Sequence, residues 1–322
     1  METHHITLPH KPTVPLHISL HLPSPIPPNP TLLIFLNGLL LPRSSWDPTI
    51  THLLSSSPAT PLPAAILTYD RFGQGTSPRD PSDPPSSPYG HDALSIISDL
   101  HSLLTIVSST FLHTPLPKVT LLFVANSIGC PLARLYISAY SSPNPTSNSP
   151  SNPNKAQTLG VLFLDSMMAS TNFVSLFPDP DTVPPPELPE GVTLDDIRHA
   201  KDRFKVMFHP DVPNKEGFDR RSLRELLPRA DGPRLEGVRV LVVVGHDWDV
   251  FAEEGEKGSL GVSKAVTNTY VNPAWTRYNE GLTRLVDDAE LKIAPGCGHF
   301  IQRDGPEFVA AEILRLLERV GK

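Results

Sequence analysis

The sequence predicts an α/β fold, a mostly parallel sheet with helices on both faces. Two observations predict it. Continuous apolar runs recur along the chain, which is typical of strands buried on both faces of a parallel sheet, and segments with helical periodicity separate them. The 322 residues, 39% of them hydrophobic, suffice for one large unit of this kind with an insertion.

The predicted strands begin with "VPLHISLHL" (14–22), whose alternation of apolar and polar residues favours a half-buried edge strand. Runs that are apolar throughout follow, and each stops near a glycine or a polar residue. These predicted strands cover 31–38, 64–70, 118–125, 159–166 and 238–245. A last short strand is predicted at the start of "ELKIAPGCGH" (290–299).

Amphipathic spacing predicts the helices between these strands. Thr193, followed by acidic residues, is the expected N-cap of one of them. Pro273 is well placed in the first turn of another. The predicted helices cover 91–111, 129–141, 193–208, 272–289 and 305–320.

Two segments interrupt the alternation. Residues 141–155 are rich in Ser, Asn and Pro and almost free of apolar residues, which favours a disordered surface loop. Residues 167–235 are proline-rich with helical stretches, and we expect them to form an inserted helical cap over the carboxyl edge of the sheet, where open α/β sheets bind ligands. The predicted core domain is therefore 1–166 with 236–322.

Composition limits the possible partners and location. The formal charge of −7 and the absence of a basic stripe argue against a nucleic-acid partner. Two cysteines, Cys130 and Cys297, cannot form a disulfide framework. The N-terminal stretch has no secretory pattern, and no apolar run approaches the roughly 20 residues that span a bilayer. A cytoplasmic protein without a membrane partner is expected, and its oligomeric state is left open.

The stretch "LLFVANSIGC" carries the strongest chemical signal. An apolar strand ends at Ser127, with small residues two positions before it (Ala125) and two after it (Gly129). A tight strand-to-helix turn that lifts a nucleophilic hydroxyl clear of a sheet needs small residues at those two positions. The usual pattern is G-x-S-x-G, so alanine replaces its first glycine.

A base and an oxyanion hole are needed to use such a serine. His299, in "GCGHFIQRDGPEFV", follows a short strand on the same predicted edge and is the candidate base. "FLNGLLLP" places Asn37 and Gly38 directly after an early strand, so the backbone N–H of Leu39, with that of Ile128, would face a developing oxyanion. "YDRFGQGTS" (69–77) follows the next strand and is expected to shape the pocket floor, with structural rather than catalytic roles for its charged residues.

In this order, "NG", "YDRFGQGTS", "ANSIGC", "LFLDS" and "GCGHFIQRDGPEFV" resemble the α/β-hydrolase superfamily over nearly the whole chain. The resemblance is closest to esterase-like and lactonase-like serine hydrolases with short helical caps. It implies an α/β-hydrolase fold, Ser127 as nucleophile, His299 as base, and Leu39 and Ile128 as oxyanion-hole residues. The "NG" differs from the more usual "HG" of the family.

The resemblance leaves the acid of the catalytic triad open. The usual position after the fifth buried strand is Trp248, which Asp247 and Asp249 flank. The other position used in the family, at the end of the preceding strand, is Asp165. Asp165 is favoured, with Asp247 and Asp249 as alternatives, and reach to His299 decides among them.

The main functional hypothesis is a hydrolase of an ester, lactone or thioester of an apolar small molecule, acting through an acyl-enzyme without metal or cofactor. An alternative is a non-hydrolytic enzyme of specialised metabolism that uses His299 and the oxyanion hole for C–C cleavage, condensation or cyclisation. A third is a ligand-binding protein on the same fold. The substrate's identity is left open.

Overall fold

The computed structural model describes residues 1–55, 62–141, 155–182 and 188–321. One eight-stranded sheet has the order β1-β2-β4-β3-β5-β6-β7-β8. Its first two neighbour pairs are antiparallel and all later pairs are parallel, which confirms the predicted sheet. The strands are β1 Glu2–Leu8, β2 Lys11–His21, β3 Thr31–Leu36, β4 Ala64–Tyr69, β5 Thr120–Asn126, β6 Gln157–Leu164, β7 Val240–Gly245 and β8 Asp288–Ile293.

The helices lie mostly between the strands, as the periodicity predicts. Thr193 accepts from the Asp196 N–H and the Asp196 carboxylate accepts from the Thr193 N–H, so the predicted N-cap is a reciprocal capping box. The helices are α1 Asp47–Ser55, α2 Ala93–Thr110, α3 Gly129–Tyr140, α4 Leu194–Met207, α5 Leu223–Leu226, α6 Trp248–Lys257, α7 Lys264–Val266, α8 Asn272–Leu282, α9 Ile301–Asp304 and α10 Pro306–Val320. A π-helical stretch, Thr267–Val271, joins α7 to α8.

The core occupies both faces of the sheet. Alternate residues of β3 divide between the faces: Leu33 and Phe35 pack with α1 and α10, while Ile34 packs on the face covered by α2 and α3. Each such buried side chain contributes about 1.5–3 kcal/mol relative to exposure. Among the described helices, α2 alone is long and apolar enough by length and composition to cross a membrane. Half of it is buried inside the protein, as in an ordinary core helix.

Two sequence predictions are wrong in detail. The strand over 14–22 is not the sheet edge, because β1 pairs with β2 and takes that place. The helix predicted over 272–289 ends at Leu282, and β8 already begins at Asp288. The connecting residues Leu285 and Val286 are buried, so they continued the apolar pattern without continuing the helix. The loop predicted over 141–155 lies, apart from its end residues, outside the described residues.

The carboxyl ends of four adjacent strands form one edge of the sheet. Asn37 follows β3, Ser127 follows β5, Asp165 follows β6 and His246 follows β7. The segment 167–235 leaves and re-enters the sheet between β6 and β7. In its described part it contains α4, α5 and one 3₁₀ turn, Val174–Leu176, and is otherwise irregular, because its prolines interrupt helical hydrogen bonding. Because β6 and β7 are parallel, the segment begins at this carboxyl edge and ends at the opposite edge, where β7 starts.

Candidate active site

Ser127 occupies a strained turn between β5 and α3. Its φ of +54° is rare for a residue with a side chain. A Cβ added at Gly129 would lie 2.5 Å from the Leu36 carbonyl oxygen, so only glycine fits there. Ala125 is fully buried, and its methyl group is accommodated in place of the usual glycine. The turn therefore has the form that the small-residue pattern predicts.

His299 reaches Ser127 from the loop after β8. Its Nε2 lies 3.0 Å from the Ser127 Oγ, within the range for proton transfer between a nucleophile and its base. Its Nδ1 lies 2.5 Å from Asp165 Oδ2. The three side chains, separated by as many as 172 positions in sequence, therefore form one hydrogen-bonded chain.

Asp165 holds the far end of this chain. It is fully buried and has a φ of +44° directly after β6. Burial raises the pKa of its carboxyl, but the charges of and hydrogen bonds from His246 and His299 outweigh burial and hold that pKa below its usual range. Asp165 is therefore a carboxylate at neutral pH.

The two alternative acids have other partners. Asp247 caps α6 by accepting from the Asp249 N–H, 3.0 Å away, and also accepts from the Gly296 N–H at 3.1 Å. Asp249 is exposed and forms an ion pair with Lys264 at 2.8 Å. Of the three aspartates that the sequence left open, the structure brings Asp165 to His299, and Asp247 and Asp249 serve the start of α6.

Asn126, which the sequence analysis did not single out, ties the nucleophile turn to the histidine loop. Its Nδ2 donates to the Leu164 carbonyl and to the His299 carbonyl, each at 3.1 Å. Its Oδ1 accepts from Gln302 Nε2 at 3.2 Å. The side chain next to the nucleophile thus fixes the backbone of the base.

The loop after β3 lies against the nucleophile. A Cβ built on Gly38 would be 3.4 Å from the Ser127 Cβ. Asn37, where the family more often has histidine, is buried and fully used: its Nδ2 donates to the Tyr69 carbonyl and to Gln74 Oε1, each at 2.9 Å, and its Oδ1 accepts from Trp46. An amide donates and accepts at once, which explains why asparagine fits this position.

Arg71 and Gln74 fix the orientation of that loop. Arg71 donates to the carbonyls of Asn37 at 2.8 Å and Gly38 at 3.1 Å, and Gln74 Nε2 donates to the Gly38 carbonyl at 2.9 Å. In a trans peptide the N–H points opposite to the C=O. Since the Gly38 carbonyl is turned towards Arg71, the Leu39 N–H points away from it.

Glu216, from the 167–235 segment, completes this network. Its carboxylate accepts from Arg71 at 3.1 Å, from Gln74 at 2.9 Å and from the Leu40 N–H. Its side chain is fully buried, and that of Arg71 is 2% exposed. The loop after β3 is therefore held between the sheet and a residue from the inserted segment, a contact that spans 176 positions in the chain.

A row of aromatic contacts connects His299 with the inserted segment. The Trp275 ring stands edge-on to His299 with centroids 5.5 Å apart, and Phe173 follows at 6.1 Å. Phe208 lies 5.9 Å beyond, and Phe204 5.0 Å from Phe208. One side of His299 is therefore covered by aromatic rings, and rings at these separations attract one another through their edges and faces.

The two cysteines are not activated. Cys130 is fully buried behind the serine turn, and burial raises its pKa well above the ordinary value. Burial, with nearby acidic residues, raises the pKa of Cys297 to about 11. Both thiols are protonated at neutral pH, and a thiol reacts as its thiolate.

One group of side chains in the described residues has the spacing of metal ligands. Atoms of Asp80, Asp83 and His91 lie within 4.8 Å of one another. Lys11 already bridges Asp80 and Asp99, and Arg79 pairs with Asp83 at 3.2 Å. Because the side chains of Lys11 and Arg79 already pair with these carboxylates, we interpret the group as a network of ion pairs.

Comparisons with known proteins identify the family and the fold. A model of the alpha/beta hydrolase family matches residues 33–312. The structure is similar to that of a thermophilic esterase from Thermogutta terrifontis, with 13% identity, full coverage of both chains and a TM-score of 0.55. It is also similar to an epoxide hydrolase of the same superfamily from metagenomes of hot environments, with 14% identity, 98% of each chain covered and a TM-score of 0.54. At such identities the likeness concerns the fold. No curated protein sequence matches significantly.

Proposed function

The chain belongs to the alpha/beta hydrolase family, and from that premise we propose that it is a serine hydrolase cleaving an ester, lactone or thioester of an apolar small molecule. The observation that carries the proposal is the unbroken hydrogen-bonded chain from Ser127 through His299 to Asp165, with contacts of 3.0 and 2.5 Å. Nucleophile, base and orienting acid in such contact constitute the machinery of acyl transfer.

In the proposed mechanism, Ser127 Oγ attacks the carbonyl carbon while its proton passes to His299 Nε2. Asp165 holds the imidazole in the tautomer with a bare Nε2 and stabilises the imidazolium that forms. The imidazolium then protonates the leaving alcohol or thiol as its bond to the carbonyl carbon breaks. Water, deprotonated by His299, attacks the acyl-enzyme and releases the acid with regeneration of the serine.

The backbone N–H groups of Leu39 and Ile128 are the proposed oxyanion donors. Ile128 directly follows the nucleophile at the start of α3. The orientation of the Gly38 carbonyl towards Arg71 and Gln74 supports the role of Leu39, because it turns the Leu39 N–H to the opposite side. One such donor is worth roughly 10²–10³ in kcat.

The choice of an apolar acyl group rests on the rings beside the base. Trp275, Phe173 and Phe208 extend from His299 towards the inserted segment. In this proposal residues 167–235 act as the lid, with Phe173 and Phe208 contributing apolar surface to the acyl-binding side. Shortening either ring to alanine would weaken binding of long acyl chains more than that of acetyl esters.

A panel of chromogenic esters with acyl chains of two to twelve carbons tests the proposal. We expect turnover by the wild type, with a burst of released chromophore, and loss of turnover in Ser127→Ala. The matched control is Ser109→Ala, an exposed serine on α2, which should retain full activity. Equal activity in Ser127→Ala would remove the serine from the mechanism. A Ser127 that a fluorophosphonate leaves untouched would favour the non-hydrolytic alternative, in which His299 acts as base without a serine nucleophile.

A further inference from the structure

A second histidine contacts the carboxylate that His299 uses. His246, the residue after β7, has its Nδ1 2.8 Å from Asp165 Oδ1 and its Nε2 3.0 Å from Asn272 Oδ1. Its side chain is 3% exposed. Phe251 stacks on the ring at 4.0 Å and Trp275 meets it edge-on at 5.5 Å, so the ring is fixed in place. The protonation of both nitrogens can therefore be deduced from their partners.

The partner on the Nε2 side can only accept. Asn272 Nδ2 donates to the Trp248 backbone carbonyl at 3.1 Å and to Asn268 Oδ1 at 2.7 Å. A backbone carbonyl has no proton to give, so it fixes the amide nitrogen on its own side. The Asn272 oxygen consequently faces His246, and Nε2 must carry a proton to make this bond.

The partner on the Nδ1 side is an ionised carboxylate. Asp165 accepts from His246 with one oxygen and from His299 with the other. Burial lowers the pKa of His246, but the Asp165 charge and the hydrogen bonds to Asp165 and Asn272 outweigh burial and raise it above the ordinary value. Both nitrogens of His246 are then donors, which a histidine achieves only as the imidazolium.

We propose that His246 is a protonated positioning residue, which aims Asp165 at His299 and sets the lower pH limit of catalysis. This inference rests on the proposed function, because it concerns the same triad. In it, the buried Asp165–His246 pair is neutral as a whole, whereas Asp165 alone would carry an uncompensated negative charge behind the base.

The charged groups around the ring support the cation. Asp165 faces it from the end of β6, Asp247 follows it in the chain, and Glu254 lies near it on α6. Both Asp247 and Glu254, when ionised, stabilise the positive ring. The fourth titratable neighbour is His299, which shares Asp165, and the packed residues of α8 are Asn272 and Trp275.

The consequence for catalysis follows from the sign of the charge. A second positive charge next to Asp165 opposes protonation of His299, because like charges disfavour each other's charged forms. Removing the His246 charge should move the acidic limb of kcat/KM upward by roughly one pH unit, at an effective dielectric constant of about 20.

Nuclear magnetic resonance of ¹⁵N-histidine-labelled wild type tests the protonation directly and needs no activity. The His246 signals can be assigned as those missing from the spectrum of His246→Gln, because the Phe251 and Trp275 rings contact both His246 and His299. We expect both ring nitrogens to carry protons at pH 7. A ring with one bare nitrogen at pH 7 would overturn the inference, whether or not the protein hydrolyses esters.

The pH profile of the ester reaction is the second readout. His246→Gln, which cannot be charged, should shift the acidic limb upward, and His101→Gln, altering a half-buried histidine on α2, should leave it in place. If His246→Gln does not fold, Asn272→Leu, which removes the Nε2 acceptor, serves the same purpose through a smaller upward shift. An unmoved limb in an active, folded variant contradicts the inference, whereas absence of turnover in the wild type contradicts the proposed function instead.

Discussion

The two sides of the site each contain a buried cation paired with a carboxylate, and they differ in chemistry and in origin. On the base side His246 pairs with Asp165, both at strand ends of the sheet. On the other side, formed by the loop after β3 with the proposed oxyanion donor and called the oxyanion side below, Arg71 pairs with Glu216 at 3.1 Å. This carboxylate comes from the 167–235 segment. The imidazolium of His246 is titratable, whereas a guanidinium stays charged over the whole pH range in which proteins remain folded.

This difference separates two kinds of control. The geometry of the base side is made within the sheet and depends on pH through an imidazolium. The geometry of the oxyanion side depends instead on contact with the inserted segment, through Glu216. Substitutions can therefore impair the two sides separately. Changes on the base side should alter the pH dependence, whereas changes on the oxyanion side should lower kcat or stability without altering it.

The largest effect on kcat is expected from removing the carboxylate of Asp165, the acid of the base side. Asp165→Asn should lower kcat by about 10⁴, because an amide can hold His299 in the wrong tautomer and cannot stabilise the imidazolium. The measurement is kcat for the best ester, with folding checked by circular dichroism. Asp247→Asn and Asp249→Asn are the matched controls, and a loss in either as large as in Asp165→Asn would reassign the acid.

The next largest effect is expected on stability, from removing the buried cation of the oxyanion side. Arg71→Ala leaves the Glu216 carboxylate buried without its cation, and removal of one partner of a buried pair costs about 3–5 kcal/mol of unfolding free energy. Denaturation by urea measures this loss. Arg71→Ala combined with Glu216→Leu should recover part of it, and no recovery in the double variant would mean that the two side chains do not act as a pair.

A subtler change keeps the shape of the oxyanion side and removes its charge. Glu216→Gln retains one acceptor for Arg71 but weakens charge-assisted bonds, so kcat should fall about tenfold while the protein stays folded. Because the substitution leaves His246, Asp165 and His299 unchanged, the ratio of mutant to wild-type kcat should be the same from pH 6 to pH 9. A ratio that drifts with pH would show that the two sides are coupled.

The smallest effect is a pH dependence of stability from the base side. The pKa of His246 is raised on folding, so its contribution is fully present below the unfolded value of about 6.5 and is lost as pH rises through the folded value. The unfolding free energy lost in His246→Gln should therefore be larger at pH 6 than at pH 9. The pKa of His101 is lowered by burial, so His101→Gln should show the opposite trend; parallel trends would contradict these signs.

Much of this arrangement could be read from local sequence. Continuous apolar runs predicted β3 to β7, since burial on both faces leaves no polar alternation. The small residues around Ser127 predicted the turn, because close backbone approach at Gly129 is a local steric demand. Local sequence therefore indicates both Ser127 and His299 without information on the contact between them.

Other parts could not be read because they depend on contacts between distant positions. The choice among Asp165, Asp247 and Asp249 required the reach to His299, 134 positions from Asp165. His246 stands directly before Asp247 in "VGHDWD", but its role is visible only with Asn272 and Asp165 beside it. Glu216 lies 145 positions from Arg71, and no local pattern marks it as a partner.

Labelling of Ser127 by a fluorophosphonate tests the central claim most directly, because it requires an activated hydroxyl and no knowledge of the substrate. Intact-mass and peptide measurements should find a single adduct on Ser127 of the wild type, formed at a rate that falls by orders of magnitude in His299→Gln. An adduct on another residue, or labelling of Ser127 at the same rate in His299→Gln, would contradict a serine activated by this histidine.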